Sequence, residues 1–379
     1  MKLDFDLYRD VMACQYLLQT YLQRSAMYDI VLSLHSKREI SGSHLIPVLL
    51  LGAPRWTNVS LSIPYRSLHA FSAARGTLHR LKRLSVTFIG DVPVLPQPDF
   101  FAELPKPIFD AFEYAPLLRS FSLKGANKGT RRMSLPWSQL TEYAGTDCTG
   151  GYIDILKRAS DMETASIQCD SDPELGIFLP SSHQRLHTLH VYEVEGSVDS
   201  PGGVINILSH FYLPALKSLR MSYAHPLVRI PTSLLGSTAG GLKSLSFDAP
   251  FAISSEAQAD LISLLKTTIL LDSLSVSCRF VYEGNPQNEG LLLGLNASIN
   301  PDVVPRLTSL AIRFINVVPY LSPSFADMVQ SRRPVASTGA ALQTLRLSVP
   351  LVMPLGLDPD VAARWRDLCD EGFVTYGME

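Results

Sequence analysis

The chain has 379 residues, 46% of them apolar and 18% charged, with 33 Lys+Arg against 35 Asp+Glu. That length exceeds one ordinary core and points to two domains or to a repeat array that adds core as it lengthens; the near-neutral charge gives no reason to expect nucleic acid or an anionic membrane as partner. The five cysteines (Cys14, Cys148, Cys169, Cys278, Cys369) are scattered and never in C-x-x-C spacing, which argues against a disulfide framework or a zinc knuckle and for a reducing compartment.

The start, "MKLDFDLYRD", is acidic and lacks a signal-peptide run, and no segment approaches about 18 uninterrupted apolar residues, so a cytoplasmic or nuclear protein is expected. Residues 7 to 25 read as one helix with Leu7, Val11, Cys14, Leu18 and Tyr21 as an apolar stripe at three-to-four spacing. From residue 27 onward a pattern L-x-x-L-x-φ (φ apolar) recurs, and its alternation marks a short half-buried strand. In chain order the copies start at Met27, Trp56, Leu81 ("LKRLSV"), Leu118 ("LRSFSL"), Leu140, Met162, Leu186 ("LHTLHV"), Leu216 ("LKSLRM"), Leu242 ("LKSLSF"), Leu271 ("LDSLSV"), Leu307 ("LTSLAI") and Leu342 ("LQTLRL"). Two copies are weak, since Gly145 replaces the last apolar residue of one and Ala165 the second Leu of another. The starts lie between 22 residues (Leu118 to Leu140) and 37 residues (Leu81 to Leu118) apart, the spacing of a strand, a helix and two turns in a leucine-rich-repeat-like array.

Between the cassettes, "GGYIDILKRASDM" after Thr149 and "SSEAQADLISLLKTT" near Ser254 read as helices. Residues 91 to 107 and 282 to 290 are rich in Pro, Gly and Asn and read as surface insertions. "LDPDVAARWRDLCDEGF" reads as a capping helix, with Asp358 as N-cap, Pro359 in the first turn, Leu357, Val361, Trp365 and Leu368 as its apolar face and Gly372 as stop. The expected fold is α/β: an irregular leucine-rich-repeat-like solenoid of ten to twelve units, parallel strands on the concave face and helices on the convex face. It divides into an N-terminal helix and cap (1–26), the solenoid (27–350) and a C-terminal cap (351–379). The asparagine that usually follows such a strand and bonds its loop is missing, its place held by Ile89, Val194, Ala224, Pro250 and Arg279, so uneven turns are expected.

Little in the sequence points to chemistry. His183, His187 and His190 place one residue in a loop and two in a strand pattern, not on the single helical face that i, i+4 ligation needs, so no metal is expected. No G-x-S-x-G, phosphate loop, G-x-G-x-x-G or H-E-x-x-H occurs. Neither an enzyme nor a cofactor is expected. The sequons at Asn58 and Asn296 read as chance matches. The third and fifth cassette positions and the residue after φ share one sheet face. These are mostly Ser and Thr, against which His190, Tyr192, Arg220, Arg313 and Arg346 stand out as the candidate partner-binding residues.

Several stretches carry a resemblance. "LPWSQLTEY" (135–143) with the "GYIDILKRASDMETASI" that follows, "RWTNVSLSI" (55–63), "LPALKSL" (213–219) and "DMVQSRR" (327–333) resemble the leucine-rich-repeat region of F-box proteins of mushroom-forming fungi. The likeness runs through nearly all of residues 11 to 379 and does not include the F-box, since the first residues look like the linker helix after it. It implies an intracellular fungal protein-interaction module, the substrate-receptor part of an F-box ubiquitin-ligase subunit. A Skp-type adaptor would bind only through an F-box upstream of Met1, and residues 1 to 379 alone are expected not to hold it. The alternative is a free-standing repeat scaffold with no ligase role.

Overall fold

The computed structural model describes residues 1–7, 11–90, 109–125, 133–170, 181–193, 203–224, 230, 239–249, 254–278, 289–314, 323–333, 342–348, 359–370 and 374–377. The chain divides into two compact units, Met1–Asp170 and Ser171–Glu379. The boundary falls inside the stretch that the sequence reads as one run of cassettes.

The first unit is α/β. Its strands are β1 (Lys2–Asp4), β2 (Ile30–His35), β3 (Trp56–Ile63), β4 (Arg83–Phe88), β5 (Ser120–Lys124), β6 (Glu142–Cys148) and β7 (Thr164–Asp170). They pair in chain order, and each pair is parallel. Helices α1 (Val11–Arg24) and α2 (Leu45–Leu50) pack on each other, and α3 (Thr149–Arg158) packs on β6 and β7.

The second unit repeats this plan. Among the described residues a two-residue strand β8 (Ser181–Ser182) pairs only with β10 (Phe211–Tyr212). The main strands are β9 (Thr188–Glu193), β11 (Ser218–Ser222), β12 (Ser244–Ala249), β13 (Ser273–Cys278), β14 (Ser309–Phe314), β15 (Thr344–Ser348) and β16 (Val374–Gly377). They too pair in chain order and in parallel. The helices between them are α4 (Gly203–His210), α5 (Ser255–Thr267), α6 (Glu289–Leu295), α7 (Pro323–Ser331) and α8 (Pro359–Asp370), of which α5 packs on α6, α6 on α7 and α7 on α8. No helix among the described residues is long and apolar enough to cross a membrane.

Every cassette becomes a strand, and its fourth and sixth positions are the core: Leu84 and Val86, Phe121 and Leu123, Leu189 and Val191, Leu219 and Met221, Leu245 and Phe247, and Leu274 and Val276 are all buried. The first-position Leu is buried as well, in a tight turn that the sequence reading missed. Leu81, Leu118, Leu140, Met162, Leu216, Leu271 and Leu307 each donate the backbone N–H to the carbonyl three residues earlier, on Leu78, Ala115, Trp137, Ala159, Leu213, Thr268 and Val304, and all seven acceptor residues are buried.

The missing asparagine is answered at the other end of the strand. The second-position carbonyl of one unit accepts the N–H groups of the second and third positions of the next: Lys217 O from Lys243 N (2.8 Å) and Ser244 N (2.9 Å), Lys243 O from Asp272 N (2.9 Å) and Ser273 N (3.0 Å), Asp272 O from Thr308 N (2.9 Å) and Ser309 N (3.0 Å). Lys82, Arg119, Thr141, His187 and Thr308 carbonyls do the same. A backbone ladder that needs no particular side chain thus satisfies the strand starts and fixes the register, which frees those side chains to vary.

The ends differ from expectation. Among the described side chains of α1 the buried ones are Leu18 and Leu22, with Cys14 half-buried and Tyr21 45% exposed; Leu7 stands in a turn before the helix and is 75% exposed, and the side chain of Val11 lies outside the described residues. The helix is apolar on several sides, so its spacing alone admits more than one buried face. Two short strands, β1 and β16, had no cassette to announce them. The terminal segment does form a helix, α8, with Leu368 buried, but the chain continues into β16, which pairs with β15. The side chains of Val361 and Trp365, and residues Leu357, Asp358 and Gly372, lie outside the described residues. So do residues 91–107 and 282–288 of the expected insertions, while Glu289 and Gly290 open α6 because the apolar run that begins at Leu291 recruits them into its first turn.

Helix α5 starts where the sequence places it. Ser254 has extended backbone and its Oγ accepts the N–H of Ala257 (3.1 Å), with Glu256 in the first turn. Ser254→Ala is expected to cost about 1 kcal/mol, read as a lowered urea midpoint; Ser254→Asp restores it, and an unchanged midpoint for the alanine variant contradicts the capping role.

Candidate functional site

In the second unit the register turns the polar cassette positions into straight rows across the sheet. The third positions align as Thr188, Ser218, Ser244, Ser273, Ser309 and Thr344. The fifth positions align as His190, Arg220, Ser246, Ser275, Ala311, Arg346 and Thr375. The seventh align as Tyr192, Ser222, Asp248, Ser277, Arg313, Ser348 and Gly377. Small hydroxyls dominate because neighbouring strands stand only about 4.8 Å apart, and short side chains leave room for a large one beside them.

The structure sorts the candidate residues into two clusters. His190 and Arg220 are direct lateral neighbours on β9 and β11, with Tyr192 two residues further along β9. Arg313 and Arg346 sit on neighbouring strands β14 and β15 but two positions out of register, since Arg346 lies opposite Ala311 and Arg313 opposite Ser348. Four strand steps separate Arg220 from Arg346, about 19 Å, so one carboxylate cannot meet both clusters. Between them lies Asp248, an acidic group that the sequence reading passed over although it occupies the seventh position of its cassette. Ser277 beside it is 7% exposed, and its hydroxyl has no hydrogen-bond partner among the described residues. At the end of β9, Glu193 Oε2 accepts the N–H of Ala224 (3.3 Å), and its other carboxylate oxygen is buried without a partner among the described residues.

The three histidines have separate tasks. His183 is buried, and its Nδ1 accepts the N–H groups of Leu186 (3.2 Å) and Arg185 (3.4 Å), which closes the turn into β9. His187 supplies a ladder carbonyl. His190 is half-buried, and its imidazole is held below the ordinary 6.5, first by loss of hydration and second by the charge of Arg220. A depressed folded value means that the unfolded chain binds the proton more readily in the window just below 6.5, so acidification through that window lowers stability. Arg220→Gln is expected to move the His190 midpoint up towards 6.5 without reaching it, because burial is the larger cause. Following the His190 ring proton by NMR checks this, and an unmoved midpoint contradicts it.

Among the described residues one group of potential metal ligands gathers, Asp4, Asp6 and His35 at the β1–β2 end of the first unit. Asp4 Oδ1 accepts the N–H of Asp6 (3.1 Å) and Asp6 Oδ2 that of Lys37 (2.9 Å), so both carboxylates already organise the local turn.

No family model and no curated protein matches this chain.

Proposed function

We propose that the chain is a protein-interaction module built as a leucine-rich-repeat-like solenoid, the strands on its concave face and the helices on its convex face. The substrate-receptor part of an F-box ubiquitin-ligase subunit is the role that its sequence resembles. The observation that carries the interaction reading is the row pattern: a field of serine and threonine from which His190, Tyr192, Arg220, Arg313 and Arg346 project. Arg and Tyr are the residue types on which binding energy concentrates. On this reading the two clusters engage separate points of one protein partner.

Quantitative affinity capture tests it by comparing wild type with Arg220→Glu/Arg346→Glu and, as control, the exposed helix residue in Lys266→Glu. A defined set of captured proteins should fall about tenfold or more with the double variant and persist with the control. Equal capture by all three proteins overturns the assignment of this face. The ligase part of the reading has its own test. A purified Skp-type adaptor should bind only a chain that carries an F-box before Met1. Helix α1 makes that comparison informative, because Met12, Tyr16 and Leu17 remain exposed on it and offer apolar surface. Micromolar binding by residues 1 to 379 alone would overturn the expectation.

A further inference from the structure

In the first unit, where β4, β5 and β6 begin, an open groove of about 360 Å³ is lined by Lys82, Arg83, Arg119 and Glu142, with Leu117 exposed at its side. We propose that this groove docks an acidic peptide segment, with carboxylate side chains on the cations and an apolar side chain on Leu117. The proposal stands apart from the second-unit face discussed above.

Three observations support it. The groove carries three cations and one anion in a chain whose formal net charge is −2, so the local excess of positive charge runs against the whole. These charges are also uncompensated: among the described residues the side chains of Lys82, Arg83 and Glu142 make no hydrogen bond or ion pair, whereas Arg75 and Arg80 on the same unit are both salt-bridged. Arg119 is held in place, since its Nη1 donates to the carbonyls of Pro116 (3.2 Å) and Leu118 (3.1 Å), which leaves its other donors for a ligand. A fixed guanidinium loses less freedom on binding a carboxylate than a mobile one.

The shape decides between ligand classes. Lys82, Arg83, Leu117, Arg119 and Glu142 are all exposed, so a small molecule would keep much of its surface in water, against the 70–90% burial typical of such ligands. A peptide crossing the strand starts needs no such enclosure. The ladder already occupies the Lys82 and Arg119 carbonyls, so recognition falls to side chains, and charge complementarity sets it.

The test uses the full chain and a fluorescein-labelled peptide of alternating glutamate and leucine, read by fluorescence anisotropy at low salt. Lys82→Glu/Arg83→Glu should weaken binding about tenfold or more, and Glu142→Gln should strengthen it about two- to fivefold by removing a repulsion. Lys217→Glu/Lys243→Glu makes the same charge change at the corresponding strand starts of the second unit and should leave binding within about twofold. Equal weakening by both double variants would mean diffuse attraction and overturn the proposal. Competition by inorganic phosphate at concentrations equal to the peptide's would also overturn it, in favour of a small-anion site. Glu142 is exposed and makes no side-chain bond among the described residues, so Glu142→Gln keeps the test decisive even if a charge-reversed variant folds poorly.

Discussion

Arg332→Met should lower stability by about 3 kcal/mol or more, among the largest effects of any single substitution in the second unit. Arg332 follows α7, is 8% exposed, and donates Nε to Leu295 O (2.6 Å), Nη2 to Val303 O (2.8 Å) and Nη1 to Val304 O (3.2 Å). One side chain thereby satisfies three carbonyls in the turns that lead into β14. Val304 has φ of +42°, a left-handed conformation that a β-branched residue rarely adopts, and its carbonyl also closes the turn to Leu307. Burial holds the guanidinium well below its usual value, to about 10, yet it stays charged at neutral pH and meets carbonyl dipoles. Methionine fills the space but removes the Arg332 donors from the Leu295 and Val303 carbonyls and leaves Val304 O with the Leu307 N–H alone. Lysine offers one ammonium where a planar fork is needed, so Arg332→Lys should recover only part of the loss. Urea unfolding of both variants checks this. A methionine variant within about 1 kcal/mol of wild type would show that the carbonyls find other donors.

The second large effect runs against the sequence pattern. Gly145 occupies the sixth position of its cassette, where every strong copy has an apolar side chain, so Gly145→Leu looks like a repair. The structure predicts a loss of about 3 kcal/mol instead. A Cβ at Gly145 would stand 2.2 Å from Tyr143 Oη and 3.2 Å from Leu123 O. Tyr143 packs with Phe121, Trp137 and Tyr152 at ring separations of 6.0, 6.5 and 6.3 Å, so its ring has little freedom to leave. Tyr152, fully buried on α3, shares its one hydroxyl proton between Gly145 O (3.0 Å) and Gln168 O (2.5 Å), which ties the helix to β6 and β7 through the same glycine. Adding Tyr143→Leu makes room, so the double variant should be more stable than Gly145→Leu alone. A Gly145→Leu protein more stable than wild type would contradict this account of the aromatic cluster.

Gly145 also shows why parts of the fold were legible and parts were not. Alternation at positions four and six marks a strand wherever each residue buries its own volume, and there the reading holds. It weakens where one large side chain, Tyr143, fills the space of two residues. The buried residue three places before the first position carried a readable signal in six of the seven tight turns, because Leu78, Ala115, Trp137, Ala159, Leu213 and Val304 are apolar at constant spacing, while Thr268 is not. The terminal strands β1 and β16 carried none, being short and without a cassette. Helix α1 misled because apolar residues on several sides leave its inward face undetermined by spacing. On the polar face, the pairing of His190 with Arg220 follows from both holding the fifth position of adjacent cassettes. The same logic separates Arg313, a seventh-position residue, from Arg346, a fifth-position one. Position in the cassette, more than residue type, decides which side chains meet.

Amide hydrogen exchange tests the central claim, that one backbone-fixed cassette sets the strand register and builds the core with its inward positions. If the strand-start ladder fixes the cassettes, the second-position amides of Lys243, Asp272 and Thr308, outside the strands and on exposed or half-exposed residues, should exchange as slowly as the third-position amides of Ser244, Ser273 and Ser309. Slow exchange at both positions is the predicted result. Second-position amides that exchange at the rate of free loops, beside protected third positions, would contradict it.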